Sequence, residues 1–352
     1  MSNSKSLAMA VVACLVLASS VSAQVAVAAK KATPTPELTV VSAIQDSGHF
    51  YAQNSFAVSG NYLIAGSYED GGTNGALTAR DMSKLGFPIV SKYAMAPINA
   101  ISVNSYGIHV ATTDGRVTVF ANKMPLRVLR SVAYSGGMQT MAASSDGTVV
   151  VSSGSASADC NYIFLSQENE NDAVIKLSSK SLIQQLAISQ VFTSGVTAVY
   201  DKATGSLVDY IWNPRDVYGN VSHVNIYTDG RILVLTTPGG TAGGADIYDA
   251  STLEHMSYIP GNVIPSGGIN TVTMHRGKLV CGTESGSVLV FDVTNIRQPV
   301  FVTTISIRAT LGLAYANSFE CRTLASKGNL LCVGSSHQHA EDPAGVILRS
   351  NW

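Results

Sequence analysis

The apolar positions of this chain fall in short runs of β-prone residues, and turn residues bound each run. Residues 277–305, GKLVCGTESGSVLVFDVTNIRQPVFVTTI, show the pattern. LVCGT is one strand, Glu284-Ser285-Gly286 a tight turn, SVLVFDV a second strand, Asn295 to Pro299 a loop, and VFVTTI a third strand. Runs of that length between such turns predict antiparallel hairpins.

The unit recurs. YLIAGS, IHVATT, VVVSS, SQVFTS, ILVLTT and LLCVGS match LVCGT, with central residues Ile64, Val110, Val151, Val191, Val234, Cys281 and Cys332 spaced 40 to 51 residues apart. A further strand precedes most copies, and a third and fourth follow. Self-similarity at a period in the forties with four strands per unit predicts an all-β, seven-bladed β-propeller. The last unit, ending at Trp352, lacks a fourth strand, while LTVVSAI (38–44) has no unit of its own. The expectation is that 38–44 supplies the outer strand of the last blade and covers its edge. Residues 160–179 must end one blade and begin the next, and 181–188 read equally as a short helix. If these two blades are one with an insertion, the ring has six.

The strands carry a family resemblance. Val290-Phe291-Asp292-Val293-Thr294-Asn295-Ile296-Arg297-Gln298-Pro299-Val300 resembles an LVIVD repeat: strand, Asp-Val, small polar loop, Pro, apolar strand. Residues 79–90, with Asp81 and Pro88, are a looser copy. The units at 196–211 and 245–259 carry Tyr-Asp-x-x-Thr, similar to YVTN and quinoprotein blades. The resemblance covers the repeat unit and implies an exported surface protein of propeller architecture, with no activity attached.

Composition narrows the class. Charged residues make up 13% of the 352, hydrophobic ones 46%, and there are 31 glycines, which suits an all-β chain with many turns. Net charge is -1, from 22 basic and 23 acidic residues, with no basic stripe; nucleic acid and anionic membrane are poor partners. At the start, one Lys, the apolar run LAMAVVACLVLASSV and the small residues Val21-Ser22-Ala23 read as a signal peptide over 1–23. The run is short for a membrane span, and it continues past Cys14, against lipidation at the lipobox-like Val11-Val12-Ala13-Cys14. Residues 24–37 read as a flexible leader, and 38–352 as the propeller.

Four cysteines follow the signal. Cys321 and Cys332 flank a hairpin turn and are the expected disulfide; Cys160 and Cys281 are expected as buried free thiols. Asn220-Val221-Ser222 is a glycosylation sequon, meaningful in a eukaryotic cell.

Candidate chemistry sits in the turns after the second strand of each unit. Those at 67–75, 154–159, 238–244 and 336–345 are long; those at Thr113 and Glu284 are tight. Loops vary where function varies, so binding is expected on the long-loop face. His337, His339, Glu341 and Asp342 could bind a transition metal, though H-x-H-x-E-D matches no zinc pattern. Glu69, Asp70 and Asn74 offer oxygens to Ca²⁺. In each case the plainer reading is an exposed polar loop. No serine-hydrolase elbow, zincin helix or haem motif occurs, and a quinone cofactor lacks its docking Trp pattern. No catalytic residue and no cofactor is therefore expected. Three functions fit, in this order: an exported binding or scaffolding module for a protein or glycan, secreted, at the cell surface or in the periplasm; a self-assembling subunit of a surface layer, filament or appendage; and a metal-dependent hydrolase or lyase at the channel mouth.

Overall fold

The computed structural model describes residues 35–45, 55–68, 73–133, 138–143, 149–153, 161–165, 173–176, 196–200, 207–212, 225–237, 243–261, 268–313, 319–335 and 342–352. The expected signal peptide, most of the leader, Cys160, Asn220 and the segment 181–188 lie outside them.

The described strands group into seven antiparallel sheets. The first sheet holds β2 (Phe56–Ser59), β3 (Tyr62–Tyr68), β4 (Gly75–Asp81) and β5 (Ile89–Met95). The second holds β6 (Ile98–Val103), β7 (Ile108–Thr112), β8 (Arg116–Phe120) and β9 (Val128–Ala133). The third holds β10 (Met138–Ala143), β11 (Val149–Ser153), β12 (Asn161–Leu165) and β13 (Ala173–Lys176). A two-stranded sheet follows, β14 (Val196–Tyr200) with β15 (Leu207–Trp212). The fifth holds β16 (Asn225–Thr228), β17 (Ile232–Thr237), β18 (Gly244–Asp249) and β19 (His255–Pro260). The sixth holds β20 (Ile269–His275), β21 (Lys278–Thr283), β22 (Ser287–Asp292) and β23 (Val300–Ser306). A five-residue helix, α1 (Ile307–Leu311), leads to β24 (Cys321–Lys327), β25 (Leu330–Ser335) and β26 (Gly345–Ser350).

In each four-stranded sheet but the last, strands neighbour one another in chain order. The last is completed by β1 (Leu38–Ile44), which pairs antiparallel with β26 from Leu38 opposite Ser350 to Ile44 opposite Gly345. This is the pairing expected from the orphan strand at 38–44. The segment 160–179 gives β12 and β13, the last two strands of the third sheet, so β14 and β15 belong to a separate sheet.

The core lies between sheets. One cluster packs Val280, Val288 and Val290 against Phe319, Leu331 and Val346. Another packs Leu63 and Ala65 against Ile347 and Cys332, and a third packs Ile64 and Leu77 against Ile98 and Val110. Middle strands are therefore buried on both faces: every residue of β4, β7, β17 and β25 is buried. That explains why they read as continuous apolar runs. Outer strands β5, β9 and β23 alternate or face solvent.

Two irregularities repeat. The register shifts at the start of β6, β10, β20 and β24, passing over Asn99, Gln139, Asn270 and Arg322. It shifts again between third and fourth strands, at Ala79/Arg80, Val119/Phe120, Ile247/Tyr248 and Val290/Phe291, and within the two-stranded sheet at Val199/Tyr200. A bulge adds local twist, so its recurrence bends successive sheets alike.

The Asp that recurs in the LVIVD-like segments and in the Tyr-Asp-x-x-Thr unit at 245–259 has a structural task. Asp292 accepts from Thr294 N–H, Asp81 from Ser83 N–H and hydroxyl, and Asp249 from Ser251 N–H and hydroxyl and Thr252 N–H. Each carboxylate caps the turn out of a third strand by a side-chain-to-backbone bond that a short acidic residue makes locally.

The expected Cys321–Cys332 disulfide is not formed. Lys327 pairs with Leu330 across the hairpin turn, which fixes Cys321 opposite Ser335 and Cys332 opposite Ala325. The two thiols enter different hydrophobic clusters, and both are free and buried. Burial pushes each thiol up to about 12. Cys281 is a buried free thiol, as expected.

Candidate functional site

In each four-stranded sheet the second strand ends where the first begins, and the described turns at 113–115 and 284–286 lie at that end. Of the residues expected there, Glu69, Asp70, His337, His339 and Glu341 lie outside the described residues. Asn74 is exposed just before β4. Asp342, ahead of β26, is buried, and its Oδ2 has no hydrogen-bond partner. Among the described residues no group of three or more His, Cys, Asp and Glu could hold a metal ion.

Among the described residues, two clefts open at this end, beside the tight turns at Thr113 and Glu284. The first, about 280 Å³, lies between the end of β5 and the second sheet. Tyr93, Met95, Asp114, Arg116, Thr118 and Ser131 are among its walls. The turn at its rim is closed by Thr112, whose hydroxyl donates to Asp114 at 2.6 Å or to the Arg116 carbonyl at 3.1 Å. Asp114 in turn meets Arg116 at 3.5 Å. Tyr93 sits edge-on to the buried Phe120, ring centroids 5.1 Å apart, and is 40% exposed.

The second cleft, about 330 Å³, is lined by Ser285, Ser287, Ser306, Arg308, Ala309 and Leu313. Its turn repeats the same closure. Thr283 Oγ1 accepts from Ser287 N–H at 3.0 Å and lies 3.0 Å from the Ser287 carbonyl. Gly286 holds φ +75° here, a left-handed conformation that favours glycine.

The other described histidines are structural or paired. His109 is buried in β7, and burial lowers it to about 4. His255 Nε2 lies 3.0 Å from the fully buried Asp246 Oδ1. His275 is buried between the hydroxyls of Ser326 and Ser350.

A repeated Thr closing a short Gly turn was visible in the sequence at 112–116 and 283–287, and would have pointed to both clefts. The long turns on which binding was expected lie largely outside the described residues.

Among solved structures, the chain resembles the β-propeller domain of Cps50 (Swd1) from Myceliophteria thermophila. The TM-score is 0.64 over 89% of this chain and 99% of that one, at 12% identity. The fold is a β-propeller. At this identity the likeness is one of fold alone. No family model matches the propeller's sequence, and no curated protein matches it either. No helix among the described residues is long and apolar enough to cross a membrane.

Proposed function

We propose that this propeller is an exported, non-catalytic binding or scaffolding module for another protein or a glycan, of the LVIVD/YVTN type, working at the cell surface or in the periplasm. The observation that carries the binding role is the distribution of exposed apolar side chains. Seven of the nine large hydrophobic residues that stand in solvent among the described residues lie on outer strands: Val41, Ile89, Val90, Tyr93, Leu129, Val300 and Phe301. Val300 is 62% exposed and Leu129 55%. Rigid sheets hold them in place, so a partner meets a preformed surface and less ordering entropy opposes association. Export rests on the reading of residues 1–23 as a signal peptide.

The test is cross-linking of the tagged protein in its own cells, beside a double variant with Leu129→Lys and Phe301→Lys. A partner captured by the wild type and lost in the variant supports the reading. Identical capture by both removes the outer strands from it.

A second reading, self-assembly into a surface structure, draws on the same strands. β5, β9, β19 and β23 are the last strands of their sheets, and an edge strand offers backbone groups to another strand. Native mass analysis across a concentration series separates the two: ordered growth favours assembly, and a constant monomer favours a foreign partner. The metal-dependent hydrolase reading rests on Glu69, Asp70, His337 and His339, and stoichiometric metal in the same sample would favour it.

A further inference from the structure

We propose that the cleft beside the β21–β22 turn is a binding site for a phosphate or sulfate group. The inference stands apart from the partner surface on the outer strands.

Arg308 supplies the charge. Among the described residues its guanidinium has no carboxylate partner. Its Nε is buried without any hydrogen-bond partner, and Nη1 reaches only the Ser285 carbonyl, at 3.5 Å. Nε is turned away from solvent, but the terminal amino groups keep donors in a planar fork that matches an oxyanion. The nearby carboxylates are engaged elsewhere: Glu284 Oε2 accepts from Gly268 N–H at 3.2 Å, and Glu320 pairs with Arg322.

Three hydroxyls complete a donor set around that charge. Ser285 lies within 3.1 Å of Thr283 Oγ1 and 3.5 Å of Ser287 Oγ. Ser306 Oγ accepts the Ala309 N–H, which leaves its own proton free to donate. Hydroxyl and guanidinium donors around one opening suit a tetrahedral oxyanion, whose several acceptor oxygens take charge-assisted hydrogen bonds.

The turn is shaped to hold the arginine. A Cβ on Gly286 would come within 3.0 Å of Arg308 Cγ and Cδ, so the glycine lets the side chain lie across the turn. The cleft, about 330 Å³, sits at the small end of the range of roughly 300–1,000 Å³ for ligand pockets. Ala309 and Leu313 give it an apolar wall beside the polar donors. The same chemistry fits a free anion or the ester group of a sugar.

Calorimetric titration of the full protein at fixed ionic strength, with inorganic phosphate and with glucose 6-phosphate, tests this. The wild type should bind saturably, and Arg308→Gln and Ser285→Asp should each weaken binding by at least about tenfold. Ser285→Asp places a carboxylate beside the guanidinium, and it carries the test if Arg308→Gln fails to fold. Arg116→Gln, in the corresponding turn of the second sheet, should leave binding unchanged. Equal affinities for the two ligands point to a free anion; tighter binding of the ester points to a phosphorylated or sulfated sugar. The proposal is overturned if neither ligand binds, if both variants bind like the wild type, or if Arg116→Gln loses binding equally.

Discussion

His275 Nε2 lies 2.9 Å from the hydroxyl of Ser350, and its Nδ1 lies 2.8 Å from Ser326. One imidazole at the end of β20 thus ties two strands of the neighbouring sheet, and Trp352 packs edge-on to the same ring at 5.8 Å. Ser350 is the residue that β1 faces at Leu38, so the contact links the sixth sheet to the β1–β26 strand pair. Replacing His275 with Ala should cost about 2–4 kcal/mol, from two lost hydrogen bonds and a cavity beside Trp352. Urea unfolding measures it, and an unchanged midpoint would refute the contribution.

The same histidine sets a pH dependence. Burial lowers His275 and His109 to about 4, from an ordinary value of 6.5. Between those limits the unfolded chain takes up protons that the folded chain refuses, so stability falls as pH drops from about 6.5 to about 4 and is regained on return. Melting temperatures across that window should show the fall, and His109→Gln should flatten it if the variant folds. No slope in the wild type would contradict the burial of both rings.

Below that window the turn-capping aspartates take over. Hydrogen bonds from Thr294, with help from Lys278, hold Asp292 at about 2, and those from Ser83 and Ser251 lower Asp81 and Asp249. A carboxylate depressed on folding adds stability above its unfolded value and loses it as pH falls through the folded one, here from about 3.8 toward 2. Asp292→Ala should lower the melting temperature at neutral pH by roughly 1–4 °C and steepen nothing below pH 4. A variant that matches the wild type at pH 7 would show the cap to be dispensable.

Two glycines with similar backbone angles should respond differently to alanine. Gly286 has φ +75°, and a Cβ there would meet the Phe319 carbonyl at 2.2 Å; Gly230 has φ +85° and open space around it. Gly230→Ala should cost about 1 kcal/mol for conformation alone, while Gly286→Ala should cost about 2–4 kcal/mol because backbone must move. Equal losses in denaturant titrations would argue against the close approach of Phe319.

Removing residues 1–44 should expose β26 as a sheet edge and uncover the pockets of Leu38 and Ile44, whose burial is worth about 1.5–3 kcal/mol each. The truncated protein should aggregate or melt well below the full chain. Light scattering and thermal scans decide it, and wild-type behaviour would mean that β1 is an accessory to the last sheet.

Much of the fold could be read in the residues. The middle strands are buried on both faces, so their apolar runs announce themselves, and Asp81, Asp249 and Asp292 mark the turns they cap. The orphan strand at 38–44 also found its predicted partner in β26. The candidate site was less legible. Arg308 meets Ser285 across 23 positions of chain, and no local pattern ties a helical arginine to a turn serine.

By itself the sequence determined the strands, the grouping in fours of six of the seven described sheets and the described turns between them, because these follow from local periodicity and the chemistry of Gly, Asn and Asp. Tertiary structure alone decided which residues face each other. The two-residue turn between Lys327 and Leu330 sets the register, and that register parts Cys321 from Cys332 where chain spacing suggested a bridge. It also seats His275 between two serines of another sheet and brings Arg308 to the serine-lined cleft. Periodicity is written residue by residue, whereas register and sheet-to-sheet packing arise only when turns, bulges and buried volumes are satisfied together.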